Sequence, residues 1–225
     1  MRVKRLLEHA MPKHYGVKPR GAASEAITQD RAFDLVDGIP PNIVPFRMGA
    51  ASFTNNVTTL SVINYELYLN HYNGKRMSDG RRRCDFIITD TGGTELILLC
   101  EITSTLGDIG NLSKPIKDNK SGKVVFPNGK YEKGELQLCG TLENICAVPE
   151  IKIAVEARCR RICLLSYIIR RYPGAAYNAR NAFNRPRCME AKLAGENGAQ
   201  ISSPMLEAYG FSYYRISHDY AFKLF

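Results

Sequence analysis

Residues 85–103, DFIITDTGGTELILLCEIT, constrain the chain more than any other stretch. Two β-prone runs flank a Gly-Gly turn, which is the pattern of a hairpin. The second run is apolar on both faces from Leu96 to Cys100, and that predicts a strand buried in the middle of a sheet. It ends on Glu101, Ile102 and Thr103. An ionised carboxylate at the end of so apolar a strand is costly unless a cation meets it. With residues 92–94 as the loop, Thr91 faces Glu95 and Asp85 faces Glu101. Thr103, two residues beyond Glu101, shares its face of the strand.

Adjacent carboxylates repel and raise each other's pKa. A divalent metal resolves that conflict, and hard oxygen ligands are what magnesium and manganese take. A plainer alternative places Asp85 beside Arg83 at the strand mouth and pairs Glu101 with an arginine. The surrounding residues favour the metal: Glu66 precedes the hairpin, and lysines follow at 114, 117, 120, 123, 130 and 133. Carboxylate on a helix, carboxylate, turn, carboxylate on a buried strand and lysine on a helix is a nuclease arrangement. Metal ions there activate water and stabilise charge on the pentacovalent phosphate. The lysine steadies the nucleophile or the developing oxyanion.

The rest of the chain reads more simply. The first 45 residues are mixed, a basic arm and then a turn at 37–42. Residues 58–71 fit a helix or a strand, and a helix is preferred. Residues 73–83 form a polar loop with Lys75, Arg76, Arg81, Arg82 and Arg83. A long polar segment covers 104–129. Residues 131–146 predict a helix with Leu136, Cys139, Leu142, Ile145 and Cys146 on one face, ended by Pro149. An apolar strand or short helix spans 160–171 between arginine pairs, a helix is expected over 175–193, and 211–225 is β-prone. Helices around a small mixed sheet make the fold class α/β (α+β).

Composition adds bounds. Hydrophobic residues at 44% and charged ones at 24% belong to a folded protein rather than a disordered one. Lys+Arg 31 against Asp+Glu 22 gives a net charge of +9, which suits a polyanionic partner or serves solubility. The longest apolar run, 162–169, is far short of the roughly 20 residues of a membrane span, and the amino end lacks the apolar stretch of a secretory signal. Seven cysteines without metal-ligand spacing predict reduced thiols in a cytosolic compartment.

The order Glu66, Asp85, Glu101-Ile102-Thr103 and then lysine resembles the PD-(D/E)xK nuclease fold. Its ExT form with a displaced lysine is similar to the cap-snatching endonuclease domain at the amino end of bunyavirus L polymerases, most closely the phlebovirus-like group. The segments that carry the likeness are NYELYLNH (64–71), CEITSTLGDIG (100–110) and GKYEK (129–133), scattered over about 56–150.

The resemblance implies that Glu66, Asp85 and Glu101 bind one or two manganese or magnesium ions, with the Ile102 carbonyl as a further ligand. Lys130 is then the catalytic lysine, Lys133 its partner or replacement and Lys120 a rival by spacing, with Thr103 completing the catalytic set. It also implies a single endonuclease domain over 1–225, with a nuclease core about 56–170, as the first part of a larger viral polymerase in the host cytoplasm. Its partners are then single-stranded RNA, as capped host mRNA cleaved for primers, and the remainder of the polymerase.

Two positions depart from the family. Cys84 stands where the family has proline, and Tyr65 stands where many members have a metal-binding histidine, which goes with weak activity in isolation. His71 lies five residues from Glu66, a poor fit to the same helical face. The loop 75–83, Arg160-Arg161 and Arg170-Arg171 are expected to steer RNA by its phosphates. The rival readings are a DNA nuclease of the same fold and a nucleic-acid-binding domain with degenerate acids.

Overall fold

The basic arm at the amino end is a helix, α1 (Val3–His14), because Val3, Leu6, Leu7 and Met11 recur at helical spacing and bury one face. The structure is a computed structural model that describes residues 2–38, 40–78, 80–106, 116–117, 124–125, 130–170 and 198–225. Four short strands follow α1: β1 (Glu25–Thr28), β2 (Phe33–Leu35), β3 (Ile43–Val44) and β4 (Ala51–Thr54).

The single helix expected over 58–71 is instead a strand and a helix, β5 (Leu60–Asn64) and α2 (Tyr65–Asn70). All five residues of β5 are buried, so its apolar positions serve two faces of a central strand rather than one face of a helix. The break falls at Asn64, whose side-chain oxygen accepts from the Leu67 N–H at 2.8 Å and caps α2.

The hairpin forms as expected from β6 (Phe86–Asp90) and β7 (Leu96–Leu106). Asp90 closes its turn by accepting from the N–H groups of Thr94 at 3.1 Å and Leu96 at 2.9 Å. Two two-residue strands, β8 (Ile116–Lys117) and β9 (Val124–Val125), pair with each other. Helix α3 (Lys130–Cys146) matches the predicted amphipathic segment. Pro149 does more than stop it: Pro149 is the first residue of α4 (Pro149–Glu156), where its missing N–H costs nothing. Residues 160–170 are a strand, β10 (Arg160–Arg170). The chain then forms β11 (Ala199–Ile201), α5 (Pro204–Glu207), β12 (Ser212–Ser217) and β13 (Ala221–Lys223). The helix expected over 175–193 lies outside the described residues.

The larger sheet has seven strands in the order β1-β5-β6-β7-β10-β12-β11. β7, β10 and β12 run parallel and the other neighbours antiparallel. A second sheet, β13-β4-β2-β3, covers one face. Ile97 and Leu99 face a core shared with the helices, and Leu96, Leu98 and Cys100 face a core shared with the second sheet. Glu101 and Thr103 therefore lie on the helical face, and because β7 runs on to Leu106, Glu101 sits at the middle of the strand rather than at its end as expected. The fold class is α+β, with mixed sheets flanked by helices. All six described cysteines are free thiols, and no helix among the described residues is long and apolar enough to cross a membrane.

Helix α3 packs closely on this face. A Cβ on Gly134 would come within 2.7 Å of the Leu165 side chain, and one on Gly140 within 2.9 Å of the Arg82 carbonyl oxygen. Between and beyond them runs a polar stripe at helical spacing, Gln137, Thr141 and Asn144. Gln137 Nε2 donates to the Arg83 carbonyl at 3.2 Å, Thr141 Oγ1 accepts from the buried Cys84 N–H at 2.7 Å, and Asn144 Nδ2 donates to Tyr65 Oη at 2.9 Å. Thr141→Val keeps the volume but leaves the Cys84 N–H without an acceptor. Urea unfolding of that variant should show a loss of about 1–3 kcal/mol.

Candidate metal centre

Asp85 sits just ahead of β6, and the register that sets Phe86 opposite Cys100 brings Asp85 level with Glu101. The Asp85 carbonyl accepts from the N–H groups of Tyr65 at 2.8 Å and Glu66 at 3.3 Å, so the first turn of α2 rests on it. Its carboxylate Oδ2 accepts from the Ile102 N–H at 2.6 Å. One residue thus fixes the start of the helix that carries Glu66 and the strand that carries Glu101.

A further acid joins them from the turn at 37–42, Asp37. Carboxylate oxygens of Asp37, Glu66 and Asp85 lie within 4.8 Å of one another, and the three residues are exposed, half-buried and buried respectively. Asn64 brings Asp37 in. Besides capping α2, its amide donates to the Gly38 carbonyl at 3.1 Å and to Asn42 Oδ1 at 3.2 Å, and Asn42 holds the same Gly38 carbonyl at 3.1 Å. The available signal was Asn64 itself, a polar residue in an apolar run, because a buried amide requires partners. This group of oxygens has the composition and spacing to hold a metal ion.

Glu101 stands apart from that three-way group. It is 4% exposed, and its Oε2 has no hydrogen-bond partner among the described residues. No described arginine pairs with it. The arginine beside the site, Arg83, reaches Glu66 instead, Nε to Oε1 at 3.8 Å. Its guanidinium is fixed by Ser78 Oγ at 2.9 Å and Asn70 Oδ1 at 2.7 Å. Burial pushes the Asp85 carboxyl up to about 8, with Asp37 and Glu66 adding to the rise against the Ile102 N–H. Burial, then Asp85, Glu66 and Asp37, push Glu101 higher still. Burial and mutual repulsion thus hold both carboxyls well above the usual carboxylate range, and oxygen donors gathered in this way can take a hard cation.

The other predicted residues fall as follows. Ile102 is half-buried, and its N–H is committed to Asp85. Thr103 is half-buried and lies opposite Tyr167 of β10. Lys130 is the first residue of α3, and its side chain lies outside the described part, as does all of Lys120. Lys133 is exposed and has no ion pair among the described residues. Tyr65 points away from the acids: it is fully buried and bonded to Asn144. His71 is exposed beyond the end of α2. The sequence reading also missed Gln137, which faces Glu101 from α3.

The chain matches no protein-family model, no curated protein and no solved structure.

Two outcomes test this geometry. A carboxyl whose folded pKa is raised favours folding while protonated, and that contribution fades as pH climbs from the unfolded value near 4 through the raised one. The metal-free protein should therefore lose stability from these groups between pH 5 and pH 8. A cation must displace the same protons, so the manganese-induced rise in melting temperature should be larger at pH 8 than at pH 6. Tyr65→His should gain no metal affinity and should lower stability by about 2 kcal/mol or more, since it replaces a core ring bonded to Asn144.

Proposed function

We propose that the protein is a divalent-metal-dependent RNA endonuclease of the cap-snatching type, acting within a larger viral polymerase. The observation that carries this reading is Glu101, a buried carboxylate with an unpartnered oxygen in the middle of a central strand, level with Asp85. It rests also on the ordered set of residues that resembles the bunyavirus endonucleases.

Manganese or magnesium would supply Lewis-acid stabilisation of the scissile phosphate and acidify the attacking water. The chain's contribution is placement. Asp37, Glu66 and Asp85 offer one set of oxygens, and Glu101 with the Ile102 carbonyl extends it along β7. Arg83 neutralises part of the charge on Glu66 and holds that side chain at the edge of the site. Lys130 and Lys133 belong to the first turn of α3, and a lysine amine from this turn would steady the nucleophile or protonate the leaving oxygen. Thr103 follows Glu101 on the same face of β7.

The test is incubation with single-stranded RNA and manganese, magnesium or chelator. Manganese-dependent cleavage that falls by at least about a hundredfold in Glu101→Gln is the expected result. Cleavage of duplex DNA alone would favour a DNA nuclease. No cleavage together with no metal-induced rise in melting temperature would leave a nucleic-acid-binding domain. Glu101→Gln should also raise the melting temperature of the metal-free protein at pH 8, because the native carboxyl must take up a proton on folding there and a neutral amide need not.

A further inference from the structure

The arginines of residues 81–83 line a groove that starts at the metal centre. Glu66 and Gln137 form one end of a polar cleft of about 360 Å³ whose wall is Arg81, Arg82 and Arg83. Arg81 and Arg82 also line a second hollow of about 440 Å³, where α3 contributes Leu136 and Cys139 and α5 contributes Met205. The two hollows share residues 80–82 and together follow the outer side of α3.

The wall is held in place. Met77 is buried in the core, and its carbonyl accepts from Asn144 at 3.3 Å. Ser78 is buried and bonded to Asn73 and Arg83. Arg81 donates from Nε to the Arg76 carbonyl at 3.0 Å, and its guanidinium lies 4.6 Å from the centre of the Tyr15 ring. The Arg82 backbone is pressed against Gly140 of α3. Arg83 is committed to Ser78, Asn70 and Glu66. Arg81 and Arg82 are exposed, and neither has a carboxylate within ion-pair distance among the described residues. Two exposed cations without an ion pair among the described residues, beside a hollow lined on its far side by Leu136, Cys139 and Met205 with Glu143 at α3, match a chain of phosphates with ribose and base attached.

We propose that this groove carries the sugar–phosphate backbone of a single-stranded RNA, with Arg82 and Arg81 on successive phosphates and Leu136 and Met205 against ribose or base. The strand then passes Arg83 and Glu66 into the metal centre; that last step rests on the nuclease reading, whereas the binding itself does not.

The experiment uses the full chain carrying Glu101→Gln, metal-free, with a fluorescein-labelled uridine oligomer followed by anisotropy across a series of KCl concentrations. Adding Arg81→Ala and Arg82→Ala should weaken binding about tenfold at low salt and flatten the log–log salt dependence by about 1.4, the share of two phosphate contacts to a single strand. Replacing Arg31, just ahead of β2, and Lys223 of β13 by alanine takes away the same charge and should change affinity less than twofold. An oligomer of the same bases on an uncharged backbone should not compete. Equal loss in the two double variants, or an unchanged salt slope in Arg81→Ala/Arg82→Ala, overturns the proposal.

The two readings separate on a second measurement, the manganese-induced rise in melting temperature of the protein with native Glu101. That rise should survive Arg81→Ala/Arg82→Ala, and its loss there would assign the arginines to the metal centre and overturn the groove. If the unsubstituted protein shows no rise while the arginine pair still governs RNA affinity, the metal reading fails and the groove stands.

Discussion

The candidate site depends on the two ends of Asp85. Its backbone carbonyl receives the first N–H groups of α2, and its side chain receives the Ile102 N–H of β7. A helix start leaves N–H groups without intrahelical partners, and here a carbonyl from the neighbouring strand entry takes two of them. Glu66 is thereby fixed beside Asp85 with no contact between their side chains needed to explain it. The same residue then lies level with Glu101 because β6 and β7 pair in that register. Three acids from three elements converge through backbone geometry, so the charge repulsion among them is imposed by the fold.

A protein that packs acids this way holds a local conflict within an otherwise consistent core, and such conflicts mark functional positions. The compensation is structural. On α3 the stripe Gln137, Thr141 and Asn144 meets the backbone or side chains of Arg83, Cys84 and Tyr65. It ties the helix to the segment carrying the acids at the depth where Glu101 Oε2 lacks a partner. A purely apolar α3 would pack the sheet as well but would leave the Cys84 N–H and the Tyr65 hydroxyl unsatisfied, each a penalty of about 1–3 kcal/mol.

Much of this is legible in the sequence alone. Taking 92–94 as a three-residue loop around the Gly-Gly turn predicts the register that β6 and β7 adopt. The acid pair Asp85 and Glu101 follows from that register alone. Residues 58–71 misled because Leu60, Val62 and Ile63 satisfy helical and buried-strand patterns alike; pairing with β1 and β6, a long-range effect, decided for the strand. Asp37 was invisible for the same reason. Its place is set by Asn64 reaching across to Gly38, and no local pattern encodes a hydrogen bond between residues 26 positions apart. The direction of Tyr65 into the core was likewise settled by Asn144, far along the chain.

The distribution of charge gives the net excess of +9 a spatial sense. Carboxylates gather on the inner side of the α2 and β6 junction, and arginines gather on the loop that follows α2, with α3 beside both. Arg83 belongs to each group: its carbonyl is held by Gln137, its guanidinium by Ser78 and Asn70, and its Nε faces Glu66. A flexible lysine there would satisfy one partner at a time, whereas the planar guanidinium fork meets all three without losing its place. Acid and base are thus held as neighbours yet kept from collapsing into mutual neutralisation. This is the arrangement a site needs if it is to receive a cation and a phosphate side by side.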